Sequence, residues 1–368
     1  MEPPEIICTN CRRAYPEQGV PYRCPTCGGL FDFTSPPPFD PSRVEQALPG
    51  LWRYRHALGL PPGAPQVHLG EGTTPLVWAR AFEREVAWKL EFTNPTGSFK
   101  DRGSSVLTSF LRSKGVQTAL EDSSGNAGAS FAAYAARAGL HARIFIPAST
   151  SGPKRSQIEA YGAEIVQIPG PRSNAAEAVR QAVDREGLVY ASHAYMPHNL
   201  MGYATLAYEL FEQMAEPPGT IILPVGQGGL LLGLQRGFLA LQQAGLVRSL
   251  PRMVGVQALA CAPLWALSSY GAEGLGWTSE GDTLAEGVRV SLPLRGDAVL
   301  QAVERSGGCF IAVDESEILP GRDQLARLGL YVEPTSALVW SALAQVAANS
   351  PEPIAVILTG SGLKYSVR

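Results

Sequence analysis

Charge is scarce in this sequence. Only 17% of its 368 residues are Asp, Glu, Lys or Arg, against about 25% in an ordinary globular protein. That excludes a disordered chain and predicts a compact, well-buried body of about two domains. A charge excess is missing too: 30 Lys and Arg against 33 Asp and Glu leave a net charge of -3. No basic field is therefore available for nucleic acid or an anionic membrane. No run approaches eighteen consecutive apolar residues, which excludes a membrane-spanning helix. Met1-Glu2-Pro3-Pro4-Glu5 lacks the basic start and apolar stretch of a secretion signal. A soluble cytoplasmic protein is expected.

Two scarce residue types are distributed unevenly. The lysines are Lys89, Lys100, Lys114, Lys154 and Lys364 alone, and four of the 6 cysteines fall at Cys8, Cys11, Cys24 and Cys27. The first sixty-five residues are also rich in proline, with Pro36-Pro37-Pro38 and Pro41 predicting a stiff extended connector. Beyond it the texture becomes apolar strand, Gly-rich turn and Ala-rich helix. Strands are expected over Val86–Phe92, Thr118–Glu121, Arg143–Ile146, Glu164–Ile168, Thr220–Val225, Met253–Gln257 and Ile354–Leu358. Helices are expected over Asp101–Lys114, Ala127–Ala138, Gly152–Tyr161, Asn174–Glu186, Gly229–Gln243, Glu317–Leu328 and Ser336–Ala348. Strands separated by such helices form βαβ units and parallel sheets, so the fold class is α/β. Ligands of such sheets sit at the C-terminal ends of the strands.

The cysteines form two C-x2-C pairs, Cys8-Thr-Asn-Cys11 and Cys24-Pro-Thr-Cys27. Two such pairs complete a tetrahedral four-thiolate site, so the spacing predicts a zinc ribbon. Four thiolates leave no open coordination position, which makes the metal structural. A disulfide pair is disfavoured without an export signal. Cys261 and Cys309 have no partner spacing and are expected to be small buried hydrophobes.

Asn94-Pro-Thr-Gly-Ser-Phe-Lys-Asp-Arg-Gly103 places a turn before a lone lysine at a helix start. The positive end of a helix dipole disfavours an ammonium, which suits an amine able to form a Schiff base. Ser123-Ser124-Gly125-Asn126-Ala127-Gly128 and Pro224-Val225-Gly226-Gln227-Gly228-Gly229-Leu230 each run from a strand into a helix, offering N–H groups to an anion. Neither is a Walker loop. Leu358-Thr359-Gly360-Ser361-Gly362 leaves the last strand with a hydroxyl and two glycines. One lysine, two anion cradles and a terminal hydroxyl describe a site for a phosphorylated aldehyde, and pyridoxal phosphate fits it best.

These segments resemble the fold type II pyridoxal-phosphate enzymes, most closely the threonine synthase family. The motifs occur in order: Leu69-Gly-Glu-Gly-Thr-Thr-Pro-Leu76, Asn94–Gly103, Ser124-Gly-Asn126, Gly226–Leu230, Glu333-Pro-Thr-Ser-Ala337 and Leu358-Thr-Gly-Ser-Gly-Leu-Lys364. The resemblance implies a tryptophan synthase β-like fold: two parallel-sheet subdomains with helices on both faces. A zinc ribbon at 1–35 would precede a catalytic domain at 36–368, with a smaller subdomain at roughly 103–205 inserted in the larger. It further implies that Lys100 holds the cofactor and acts as base at the substrate α carbon. Asn126 would bond the ring hydroxyl, and Gly226, Gln227, Gly228, Gly229 and Leu230 the phosphate. Thr359 would face the pyridine nitrogen, while Ser124, Gly125, Asn126 and Ala127 grip the substrate carboxylate. The implied reaction is elimination and replacement, as in making L-threonine and phosphate from O-phospho-L-homoserine and water. A threonine/serine dehydratase-like or other ammonia-lyase activity is the alternative, and a non-catalytic cofactor-binding paralogue a third. The expected partner is an amino-acid substrate, without nucleic acid or membrane, and a homodimer is admitted.

One segment departs from the pattern. Members acting on phosphohomoserine resemble N-S-x-x-x-x-R-x-x-G where this chain has His193-Ala194, Asn199 and Gly202. A neutral amide in place of a guanidinium weakens binding of a dianion. The ending G-x-G-G-L at Leu230 resembles serine/threonine dehydratases. Glu121-Asp122 would repel a phosphate, unless the pair is simply a solvated strand end. His193, His198, Lys154 and Arg155 are the cations available to compensate.

Overall fold

The computed structural model describes residues 4–36, 38–150 and 152–365. Pro37 of the connector and the first three residues lie outside the described residues. In chain order, β1 (Ile6–Cys8) and β2 (Phe31–Phe33) are followed by β3 (Leu76–Ala81) and β4 (Arg84–Lys89). Next come α1 (Lys100–Ser113), β5 (Thr118–Glu121), α2 (Asn126–Ala138), β6 (His141–Pro147), α3 (Pro153–Ala160), β7 (Glu164–Ile168), α4 (Arg172–Glu186) and β8 (Val189–Tyr190). Then follow α5 (His198–Gln213), β9 (Thr220–Pro224), α6 (Gly229–Gln243), β10 (Arg252–Ala258), α7 (Pro263–Tyr270) and α8 (Gly296–Arg305). The series ends with β11 (Cys309–Val313), α9 (Glu315–Arg327), α10 (Pro334–Val346) and β12 (Ile354–Ile357).

By contacts the chain divides into two units, Met1–Gly72 with Lys100–Gly202, and Thr73–Phe99 with Tyr203–Arg368. The first unit holds the antiparallel β1–β2 pair and a four-stranded parallel sheet of order β7-β6-β5-β8. Its core joins Leu107, Phe110 and Leu111 of α1 to Leu120, Phe131, Ile144 and Val179. The ribbon segment is part of that packing. Tyr15 meets Phe31 and Phe110 edge-on, and Tyr22 meets Tyr190 and Tyr195.

The second unit is a six-stranded sheet of order β11-β10-β9-β12-β4-β3, parallel except for the edge strand β3. Strands covered on both faces read as continuous apolar runs, and β9 and β12 are buried along their whole length. The edge strand β3 instead exposes Val77 and Trp78. A buried ammonium braces this unit. Lys89 Nζ donates to Glu209 Oε2 at 2.8 Å, to the Thr74 carbonyl at 2.7 Å and to Gln213 Oε1 at 2.8 Å.

Several short elements were not expected from sequence, among them β1, β2, β8, β11, α7 and α8. The expected strand Val86–Phe92 ends early, at Lys89, because Glu91–Thr93 turns into a single 3-10 turn. Cys261 is buried as expected, but Cys309 is only half-buried and lies 3.6 Å from Arg252 Nη2. No helix among the described residues is long and apolar enough to cross a membrane.

Candidate active site

In each sheet the strand order reverses at one point, which is where ligands of open α/β sheets bind. In the first unit β5, β6 and β7 step outward in one direction, and β8 then returns to the other side of β5. The loops leaving β5 and β8 carry Glu121 to Asn126 and Ser192 to Asn199. Glu121 and His193 meet across this reversal. Glu121 Oε1 lies 2.8 Å from His193 Nδ1, and Oε2 accepts the His193 N–H at 3.1 Å. Asp122 is buried beside them and accepts a hydrogen bond from Tyr190. Burial pushes the Glu121 carboxyl up to about 7, opposed by the N–H groups of His193 and Asp122. Burial and the Lys100 ammonium hold the His193 imidazole well below its usual range.

Lys100 opens α1, as its motif predicts. Its charge reaches both Glu121 and His193, so the lysine and the acid–base pair share one region of this unit. The following residues anchor the helix: Asp101 is buried and accepts from Ser130 Oγ at 2.7 Å, and Ser130 also bonds Ser104 at 2.8 Å. Helix α2 thus packs its start against the start of α1. Gly125 caps α2 without a side-chain hydrogen bond, which leaves first-turn N–H groups facing outward for an anion. The tight entry requires Gly128, where a Cβ would stand 1.8 Å from the Ser123 carbonyl oxygen. Ser124, Gly125, Asn126 and Ala127 are thus gathered on one helix start.

In the second unit β9, β10 and β11 step outward and β12 returns between β9 and β4. The loops leaving β9 and β12 carry Gly226–Leu230 and Thr359. Gly228 adopts φ +79, a conformation that favours glycine, and a Cβ there would lie 2.2 Å from Val299 Cγ2. Helix α6 begins directly afterwards with no side-chain cap. Gln227 is turned away, its Oε1 accepting the Leu294 N–H at 3.0 Å. The Thr359 N–H donates to Ser336 Oγ at 2.9 Å, and the Thr359 carbonyl accepts the Phe99 N–H at 3.0 Å. Thr359 Oγ1 is buried without a hydrogen-bond partner. A buried hydroxyl left unpaired is costly, and a heteroaromatic nitrogen would satisfy it.

The turn before Lys100 is held on several sides. Asn94 Nδ2 donates to the Glu91 carbonyl at 2.8 Å and to Glu91 Oε2 at 3.0 Å, and Glu91 Oε1 accepts from Thr74 Oγ1 at 2.6 Å. Lys364 is a clamp, not a ligand: its ammonium donates to the Thr96 carbonyl at 2.8 Å.

Cys8 and Cys27 Sγ lie 3.4 Å apart, Cys11 and Cys24 Sγ 3.6 Å, and all four lie within 4.8 Å of one another. Tetrahedral coordination with zinc–sulfur bonds of about 2.3 Å separates sulfurs by about 3.8 Å. The four residues fit one such ion.

Three expectations are corrected. Glu121 and Asp122 are not a solvated strand end; they are 0% and 6% exposed. His198 is not available as a cation. It is buried, stacked on Phe110 at 3.6 Å with Tyr15 and Phe33 at its edges, and burial lowers it to about 3. Asn199 is buried with its amide on the Met196 carbonyl at 3.3 Å. Arg155 is bonded to Glu159 and the Thr150 carbonyl. Besides Lys100, Arg172 at the start of α4 faces the cluster, and its charge acts on Glu121, Asp122 and His193. Sequence reasoning passed over it, although Pro171 before it marks a helix entry.

The model of the pyridoxal-phosphate dependent enzymes matches residues 67–360. The chain is 32% identical to the threonine synthase of Methanocaldococcus jannaschii over 97% of this chain and 92% of that one. It is 34% identical to that of Synechocystis over 84% and 82%. The chain belongs to the threonine synthase family of pyridoxal-phosphate dependent enzymes. Among solved structures, the threonine deaminase of T.th. is 28% identical with a TM-score of 0.65, covering 80% of this chain and 94% of that one. Threonine deaminase isoform 2 of Solanum lycopersicum has a TM-score of 0.67 at 22% identity, covering 94% and 95%. The threonine synthase family member thus has the fold type II architecture, with the four-cysteine cluster ahead of it.

Proposed function

We propose that the protein converts O-phospho-L-homoserine and water to L-threonine and phosphate, with pyridoxal phosphate held on Lys100. The observation that carries this is the setting of Lys100. It starts a helix, its approach is clamped by Glu91 and Lys364, and its charge reaches a buried acid–base pair. Names of relatives at 32% to 34% identity agree with it. Gly226 to Leu230 would receive the phosphate on backbone N–H groups, Asn126 the ring hydroxyl, and Thr359 Oγ1 the pyridine nitrogen. A neutral hydroxyl opposite that nitrogen favours elimination and replacement over transamination. When bound, the group supplies an electron sink for the bonds at the substrate α carbon. Ser124, Gly125, Asn126 and Ala127 would orient the substrate carboxylate at the α2 start. Lys100 takes the α proton and returns it at the end.

We further propose the division into a ribbon at 1–35 and a catalytic domain at 36–368, its smaller subdomain at roughly 103–205. Cys8, Cys11, Cys24 and Cys27 would hold a structural zinc, since four thiolates leave no site for substrate.

A specific observation favours a second reading, dehydration of a hydroxyamino acid as a lyase. Where a substrate phosphate needs a cation, the chain has His193 held well below its usual range, Ala194, and Asn199 with its amide on the Met196 carbonyl. The test compares phosphate release from O-phosphohomoserine with 2-oxoacid formation from threonine and serine. Phosphate and threonine appearing together support the proposal; 2-oxoacid alone rejects it in favour of the lyase.

A further inference from the structure

The roles assigned above leave the Glu121–His193 pair without a task, yet its geometry is that of an acid–base dyad. Both Glu121 oxygens bond His193, one lying 2.8 Å from Nδ1 and the other accepting its backbone N–H at 3.1 Å. The carboxylate therefore fixes both the position and the orientation of the ring. A carboxylate against Nδ1 keeps the imidazole proton there and leaves the lone pair on Nε2. Exposure has the matching asymmetry: the Glu121 side chain is 1% exposed and that of His193 14%. The carboxylate is inside and the imidazole stands at the open end of the strand-order reversal. The charged and titratable groups facing it are Glu121 at the end of β5 and Asp122 just after it, Lys100 from α1 and Arg172 from α4, with Tyr190 of β8 bonded to Asp122.

We propose that His193 is a second acid–base residue of this site and that Glu121 is the residue that positions it. The inference rests on the proposed conversion of O-phospho-L-homoserine, with Lys100 as the cofactor lysine. The proposed reaction changes hydrogen at three carbons: the α carbon loses and regains one, the β carbon exchanges one for hydroxyl, and the γ carbon gains one as phosphate leaves. A single amine that holds the α proton is not free to accept a proton from water. Two steps need another base. The β carbon gives its proton to His193 Nε2 as the electron pair of the γ C–O bond leaves with phosphate, and return of that proton to the γ carbon leaves a double bond between the α and β carbons. Water addition follows. One O–H bond of water breaks and its proton passes to His193 Nε2 while the oxygen bonds to the β carbon. The electron pair of the substrate's α–β double bond moves to the α carbon, which takes its proton from the Lys100 ammonium. His193 then passes its proton back to Lys100 or to solvent, and the balance closes without a further reagent.

The experiment separates α-carbon chemistry from side-chain chemistry in the holoenzyme. In His193→Asn and His193→Gln, the visible band of the lysine-bound cofactor and solvent-deuterium exchange at the substrate α carbon persist within about threefold, while kcat for threonine falls about 10²–10⁴-fold with KM little changed. Glu121→Gln lowers kcat by about tenfold and moves the acid limb of its pH profile downward by about one unit, which a merely structural role would not do. A kcat within about threefold of wild type in both histidine variants overturns the dyad. So does an α-exchange rate that falls in step with kcat, because that marks a defect in placing the substrate. A wild-type protein that takes up no cofactor, or that forms 2-oxoacid and no threonine, fails differently: it removes the proposed reaction, and the task given to the dyad falls with it.

Discussion

In the four-stranded sheet the strand order reverses between β5 and β8, and the loops there bring Glu121, Asp122 and His193 together, with Lys100 in range. In the six-stranded sheet it reverses between β9 and β12, and the loops there carry glycines and the Thr359 hydroxyl, with Leu230 at the start of α6 and Ser336 of α10 bonded to the Thr359 N–H. The topology is the same and the chemistry opposite. One reversal is titratable and mostly buried, while the other is neutral and built of backbone. On the proposed function, the first unit would move protons and the second would hold a flat ligand and its phosphate.

The largest expected effect falls on the titratable side. Lys100→Ala should remove the visible cofactor band and lower turnover by about 10⁴-fold or more, as steady-state kinetics and absorbance would show. A variant that kept most of its activity would break the division of roles. On the neutral side, Gly228→Ala drives a Cβ against Val299 at 2.2 Å in a backbone conformation of φ +79. It should cost about 1–3 kcal/mol by overpacking and weaken cofactor uptake about tenfold or more, measured by reconstitution titration. Thr359→Val keeps the shape but loses the hydroxyl, and should lower kcat about tenfold while α-proton exchange and threonine formation fall together. That joint loss contrasts with the split expected at His193.

The smallest effect concerns stability. His198 is buried, and burial lowers it to about 3 from 6.5. Its contribution is present above pH 6.5 and is lost as pH falls toward 3, so at pH 5 about 2 kcal/mol should be gone. His198→Phe should flatten denaturant-measured stability between pH 7 and pH 5. A variant with the wild-type slope would show that the ribbon-facing core is not the acid-sensitive part.

Much of this was legible in the sequence, for physical reasons. Thr118–Glu121, Glu164–Ile168 and Gly229–Gln243 are apolar runs or periodic segments bounded by Gly and polar residues, and they stand where expected. The lysine loop was legible because Pro and Gly leave few other conformations before a helix. The Glu121–His193 pair was not, since the partners are 72 residues apart in sequence. Only the two-residue strand β8, too short to carry periodicity, brings them side by side. His198 misled because a histidine beside a helix start looks like a cation, whereas aromatic packing from Tyr15, Phe33 and Phe110 decides its state.

The central claim is that Lys100 carries the cofactor. Borohydride reduction of the reconstituted protein, followed by tryptic mapping, tests it most directly. The competing lysines have other tasks: Lys89 is fully buried in its ion pair, Lys364 clamps Thr96, and Lys114 donates to the Glu17 carbonyl. A single reduced adduct is expected on the peptide Leu90–Arg102, uncleaved at Lys100. An adduct on Lys89, Lys114, Lys154 or Lys364 instead, or none from a protein that binds the cofactor, would contradict it.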